Sequence, residues 1–248
     1  MKPSNHQKYS GLLLLDKPIG MTSHQAVGFL RRKLKMKQIG HAGTLDPMAT
    51  GLLILMVGKA TKTSQYLVLD NKTYQGTIKL GEVSNTYDSE GTITQVSDPS
   101  KLTKEEIQNA ALALSGKQLQ LPPMFSAVKI NGQPLYLAAR AGETVEREPR
   151  EINVYHFKIT SDKNPTLEFE ISCSKGTYIR TLSHQIGELL KCGSYLTSLR
   201  RTQSGDFSLE NSATQEKIES MEEADIAKLL LPYEHYIPQK PLLKTANN

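Results

Sequence analysis

Apolar residues along this chain fall into short runs separated by turn signals. Gly11 to Leu15 is a continuous apolar run of buried-strand length, and Asp16 to Gly20, carrying Pro18 and Gly20, reads as a turn. Ser23 to Lys35 spaces Val27, Leu30 and Leu34 along one helical face, with Thr22 or Ser23 placed to cap it. Leu52 to Val57 is a second buried strand, Ala60 to Leu67 a short helix, and Lys72 to Leu80 a strand that aligns Tyr74, Ile78 and Leu80. Thr103 and Glu106 have capping-box spacing ahead of Ile107, Ala110, Ala111 and Leu114, which predicts a helix over 103–115 that stops near Gly116.

Leu121 to Gly132 opens on a stiff Leu-Pro-Pro entry and ends on an Asn-Gly turn, the pattern of an arm or flap extending to about residue 150 through a short helix at Leu135 to Ala141. Strands follow at Ile152 to Thr160 and Thr166 to Cys173; in the second, Leu167, Phe169, Ile171 and Cys173 alternate with Glu168, Glu170 and Ser172. Ser174 to Gly176 forms a turn, and Thr177 begins a helix with Ile179, Leu182, Ile186 and Leu189 facing inward. The order of elements predicts an α+β fold with a mixed, largely antiparallel central sheet flanked by helices.

With 248 residues, 38% of them hydrophobic, the chain is long enough to bury one large core or two smaller ones. The leucine run at 12–15 is only four residues long and meets Asp16, Lys17 and Pro18, unlike a membrane span or a signal-peptide core, so the cytoplasm is the expected location. Cys173 and Cys192 lack metal-type spacing and read as reduced structural thiols. Charge changes the picture more. Residues 1–62 carry ten Lys or Arg against Asp16 and Asp46, a net +8 in a protein of net +5, so the remainder is net −3. Such asymmetry suits a polyanion; Arg31, Arg32, Lys33, Lys35 and Lys37 also suit a solvated helix C-terminus.

One carboxylate stands out within that basic quarter. From Gly40 to Gly51, three glycines and two alanines in twelve positions surround Asp46, and Pro47 stiffens the chain behind it. The pattern fits a loop that presents an acid, although an ordinary Asp-Pro turn has the same local signature. A second cluster, Tyr178-Ile179-Arg180, opens the late helix. Its guanidinium could orient a carboxylate through two charge-assisted hydrogen bonds, or serve structurally beside a core tyrosine. His6, His24, His156 and His184 do not converge on a ligand pattern, so no metal site is assigned.

Four separated blocks together resemble the bacterial TruB-type tRNA pseudouridine synthases: Leu-Leu-Leu-Asp-Lys-Pro at 13–18, Gly-His-Ala-Gly-Thr-Leu-Asp-Pro at 40–47, Leu121 to Gly132, and Cys173 to Leu182. The resemblance implies the pseudouridine synthase fold over 1–207, an RNA-gripping arm at about 121–150, and isomerisation of uridine-55 in the tRNA T stem-loop without cofactor, metal, membrane or obligate protein partner. It implies a catalytic aspartate at Asp46, a base-stacking tyrosine at Tyr74, an arginine paired with the aspartate at Arg180, and assistance at the base from Tyr178. Lys17, His41, Tyr178 and Leu199 are implied in supporting or RNA-contacting roles, His41 through the space left when the target base is flipped out; Arg200 is expected to contact RNA through the charge that Leu199-Arg200-Arg201 adds. Two features depart from the family. Asn85 stands where an aspartate is usual, and only about forty residues follow Phe207, so a complete C-terminal PUA domain is not expected; residues 208–248 read as a short tail of one or two packed helices. A non-catalytic RNA-folding module and an RNA-guided uridine isomerase are the rival classes, the first having no need of Asp46 and Arg180 together.

Overall fold

The computed structural model describes residues 8–68, 71–126, 128–130 and 132–237. β1 (Gly11–Lys17) turns into α1 (Ser23–Leu34); β2 (Ile39–Ala42) and β3 (Ala49–Val57) flank the Asp46 loop, and a 3-10 helix at Gly58–Thr63 runs into α2 (Ser64–Leu67). Next come β4 (Lys72–Leu80), the ribbon β5 (Glu82–Ser84) and β6 (Ile93–Gln95), α3 (Lys104–Ala113) and β7 (Gly116–Gln120). The arm holds β8 (Lys129–Ile130), β9 (Gln133–Pro134) and α4 (Leu135–Arg140), followed by β10 (Arg150–Lys163), β11 (Thr166–Cys173), α5 (Ile179–Leu189) and β12 (Ser194–Ser204). The C-terminal segment adds β13 (Phe207–Ser208), β14 (Ala213–Thr214), α6 (Gln215–Ser220) and α7 (Glu223–Lys228). The fold is α+β.

Ten strands form one sheet in the order β14-β1-β3-β12-β4-β11-β10-β7, with β2 beside β3 and β13 beside β12. Within it only β1–β14 and β3–β12 are parallel, so the sheet is mixed and largely antiparallel. Leu53 and Leu55 of β3 join one apolar cluster while Leu52 and Ile54 join another, so this strand is covered on both faces. That is why β3 reads as an unbroken apolar run, whereas β11, whose Leu167, Phe169, Ile171 and Cys173 are buried, alternates. Both cysteines are free and buried.

Capping boxes start α1 at Thr22 with Gln25 and α3 at Thr103 with Glu106, each satisfying amides the first helical turn leaves open. Differences from the sequence reading come from pairing. β1 runs on through Asp16 and Lys17, because these residues face Leu52 and Gly51 of β3 in register. The late helix begins at Ile179, with Tyr178 as its N-cap residue, and Leu189 is 50% exposed because the helix ends there and the chain turns away toward β12. Among the described residues, 208–237 include two short helices that bury Ile218 and Ile226 and a strand, β14, that extends the sheet, while Leu231 and Leu12 exchange two backbone hydrogen bonds. The Asn131 half of the expected Asn-Gly turn lies outside the described residues.

β3 and β12 come unusually close where the site is built. Gly51 has φ +96°, and a Cβ there would overlap the Arg201 carbonyl oxygen and lie 2.8 Å from the Arg201 amide nitrogen. Gly51→Ala should therefore cost about 2–4 kcal/mol, from left-handed strain plus overpacking. Equilibrium urea unfolding checks this, and an unchanged midpoint would show that the two strands part freely.

Candidate active site

Asp46 occupies the bend between β2 and β3, and three side chains clamp that bend. Ser23, at the start of α1, donates to Leu45 O at 3.0 Å and accepts from Leu45 N at 2.9 Å. The Lys17 ammonium donates to Met21 O at 2.6 Å, to Pro18 O at 2.9 Å and, more weakly, to Pro47 O at 3.5 Å. Arg201 donates from Nε to Leu52 O at 2.7 Å and from Nη2 to Gly43 O at 3.0 Å. Burial lowers the Lys17 pKa to about 8, with Asp46 pulling it upward. The clamps hold the Asp46 backbone rigid while its side chain stays 37% exposed in a cleft.

Arg180, one residue into α5 and almost fully buried, donates from Nε to Asp46 Oδ2 at 2.9 Å. The expected two-bond fork onto Asp46 is not what the structure shows. The remaining donors go elsewhere: Nη1 to Asp88 Oδ2 at 3.2 Å and Thr86 O at 3.3 Å, and Nη2 to Phe125 O at 3.0 Å. One guanidinium thus bridges two acids and ties the arm to the site, which uses its planar donor array more fully than a single fork would. Burial pushes the Asp46 carboxyl above its ordinary value; Arg180 opposes the shift, Asp88 adds to it, and Lys17 opposes it.

Asp46 and Arg180 lie on a ridge between two clefts. The first, about 510 Å³, is walled by Tyr74, Tyr178, Ile179, Leu199 and Arg150. Tyr74 comes from β4, in register with Arg201 of β12, and is 8% exposed. Tyr178 is held by its backbone: Gln120, buried at the end of β7, accepts from Tyr178 N at 2.7 Å and donates to Tyr178 O at 3.1 Å. Burial raises both phenol pKa values, so both rings carry neutral hydroxyls at neutral pH; Arg201 opposes the shift at Tyr74, and Ser126 opposes it at Tyr178. The second cleft, about 560 Å³, is lined by His24, His41, Asp88, Glu90, Tyr136 and Arg140. Burial lowers the His41 pKa, and its Nδ1 has no hydrogen-bond partner among the described residues.

The structure therefore brings Asp46, Tyr74, Tyr178, Arg180 and Leu199 into one cleft and sets His41 across the ridge. Lys17 is fully buried beneath the loop, where it anchors backbone carbonyls in a supporting position. Arg200 closes its fork on Asp16, at 2.7 and 3.1 Å, and lines neither cleft. Asn85 caps its own turn by accepting from Thr92 N at 2.8 Å, and the acid that meets Arg180 is Asp88, three residues on. Sequence reasoning missed Asp88, Gln120 and Arg201 as site residues; each is one polar residue among many until the chain closes. Among the described residues no group of three or more His, Cys, Asp or Glu could hold a metal ion, and no helix is long and apolar enough to cross a membrane.

Residues 31–179 match the N-terminal domain of the TruB family of pseudouridylate synthases, and residues 180–237 match the tRNA pseudouridylate synthase B C-terminal domain. This chain belongs to the TruB family. The tRNA pseudouridine synthase B of Opitutus terrae is 48% identical over 226 residues, 91% of this chain and 94% of that one. The synthase of the same name from Syntrophotalea carbinolica is 42% identical over 234 residues, 94% of this chain and 76% of that one. Among solved structures, a Cbf5-Nop10-Gar1 complex superposes with a TM-score of 0.70 at 29% identity, covering 93% of this chain. This TruB-family chain spans 62% of that protein's length, less than two thirds. As a TruB-family pseudouridine synthase the protein is an isomerase, and its site is to be judged against a reaction that detaches a base and rejoins it through a different atom.

Proposed function

We propose that this protein isomerises uridine-55 in the T loop of tRNA to pseudouridine, with Asp46 as the essential group. The observation that carries the reading is the Asp46–Arg180 ion pair at 2.9 Å, set in a cleft walled by Tyr74, Tyr178 and Leu199. The reaction breaks the bond from C1′ to N1 of uracil and forms one from C1′ to C5; C5 loses a proton and N1 gains one, with no net oxidation. A partly exposed carboxylate suits attack on C1′ or stabilisation of the charge that develops there. Tyr74 supplies a flat apolar wall that retains the loose base, and Tyr178 lies where it assists proton removal from C5. The target leaves its stack to reach Asp46, with neutral His41 at the ridge to occupy the vacated space. A tRNA substrate places the enzyme in the cytoplasm.

The basic N-terminal quarter, the arm and the segment from Lys175 to Arg201, through its exposed Lys175 and Lys191, supply the phosphate contacts. An isolated T stem-loop should then be modified about as well as whole tRNA, with kcat/KM values within roughly tenfold, about 1.4 kcal/mol. Affinity should fall steeply with salt as counterions are released. Mapping pseudouridine in both RNAs tests this: a stem-loop that binds but is hardly modified would overturn recognition through the T arm. Turnover that appears only with an added guide RNA would move the protein to the guided class.

A further inference from the structure

The turn that carries Asp88 is docked on α5 at two points one helical turn apart. Arg180 takes Asp88 Oδ2 and Thr86 O, and four residues later the His184 ring lies against Tyr87, with centroids 4.1 Å apart and planes 14° from parallel. Tyr87 sits between the two residues that receive Arg180, and its backbone is left-handed at φ +65°. That region favours glycine, and a tyrosine stays there only when its surroundings hold it. The rest of the turn is fastened as well: Leu196 N donates to Tyr87 O at 3.0 Å, while Thr86 Oγ1 and Glu90 N donate to Asp88 Oδ1 at 2.6 and 3.0 Å. Each of those bonds fixes the turn to β12 or to itself. Among the contacts described, the Arg180 bonds and the ring stack are the ones that join the turn to α5.

We propose that the Tyr87–His184 stack is a positioning device that registers the Asp88 turn on α5 and thereby holds the Arg180 guanidinium against Asp46. The proposal rests on the pseudouridine synthase reading of the Asp46–Arg180 pair, with Tyr87 and His184 acting through Asp88 and not on the substrate. Tyr87→Gly is the informative variant, because glycine accepts the backbone conformation and removes only the ring. It should lower kcat on a T stem-loop about tenfold with KM within twofold, and His184→Ala should match it. His184→Phe, which keeps a flat ring, should restore kcat to within threefold of the parent. In an Asp88→Ala background, which leaves no side-chain oxygen for Arg180 Nη1, Tyr87→Gly should have less than a twofold further effect, since the route through Asp88 is already broken. A parental kcat in Tyr87→Gly, a His184→Phe variant no faster than His184→Ala, or an undiminished effect in the Asp88→Ala background would each overturn the proposal. The Arg180 Nε–H resonance gives a readout independent of turnover: its proton should exchange with water faster in Tyr87→Gly than in the parent, and equal exchange would also overturn it. Failure of the parent protein to form pseudouridine would instead refute the functional reading while leaving this exchange measurement decisive for the stack.

Discussion

Asp46→Asn should abolish pseudouridine formation, with kcat lower by at least about a thousandfold, about 4 kcal/mol, while tRNA affinity stays within about threefold. The amide keeps the shape of the side chain and an oxygen to accept from Arg180 Nε, so the loop clamped by Ser23, Lys17 and Arg201 has no reason to move. What disappears is the negative charge and the nucleophile, and neither is needed to bind a polyanion. Binding and chemistry therefore separate. Single-turnover assays on T-arm RNA beside filter binding check the pair of outcomes, and substantial turnover by the variant would remove Asp46 from the mechanism. In the parent, burial pushes the Asp46 carboxyl upward. The acid limb of the kcat profile should accordingly lie above the ordinary aspartate range, with activity lost as falling pH protonates this group.

Arg180→Lys should be nearly as damaging, lowering kcat by about a hundredfold or more, about 2.7 kcal/mol. The reason lies in how the donors are shared. Nε holds Asp46, Nη1 holds Asp88 and Thr86 O, and Nη2 holds Phe125 O of the arm. An ammonium on a flexible stem reaches one acid or the other, and it leaves the buried Asp88 carboxylate or the Phe125 carbonyl without its partner. Truncating one side of a buried ion pair typically costs about 3–5 kcal/mol, so the variant should also melt earlier than Asp46→Asn. Thermal unfolding alongside the turnover assay distinguishes the two effects. Parental activity with a lowered melting temperature would make Arg180 a structural residue.

Much of the architecture was legible because it is local. The cap at Thr22, the capping box at Thr103, the buried run of β3 and the alternation of β11 each lie within a few consecutive residues, and each formed the expected element. Asp46 and Arg180 were legible for a different reason: each sits in a short motif whose composition limits what the backbone there can do. The Arg200 fork meets Asp16 on β1, a partner that nothing in the residues around Leu199 discloses. Likewise nothing in Asp-Lys-Pro says that the Lys17 ammonium will be enclosed by three carbonyls.

The sequence by itself determined the element types, the α+β class, the basic N-terminal quarter and the two motifs that meet in the cleft, since periodicity, turn chemistry and charge act over short stretches of chain. Tertiary structure alone decided that Arg180 serves Asp46 and Asp88 together, that Gln120 clamps Tyr178, that Arg201 passes under Gly43, and that Tyr87 stacks on His184. Those contacts join residues 58 to 158 positions apart. A polar side chain finds its partner only after the strands around it have paired. The register of β12 on β3 and β4 is set by apolar burial along the whole sheet, and the geometry of the site follows from that register.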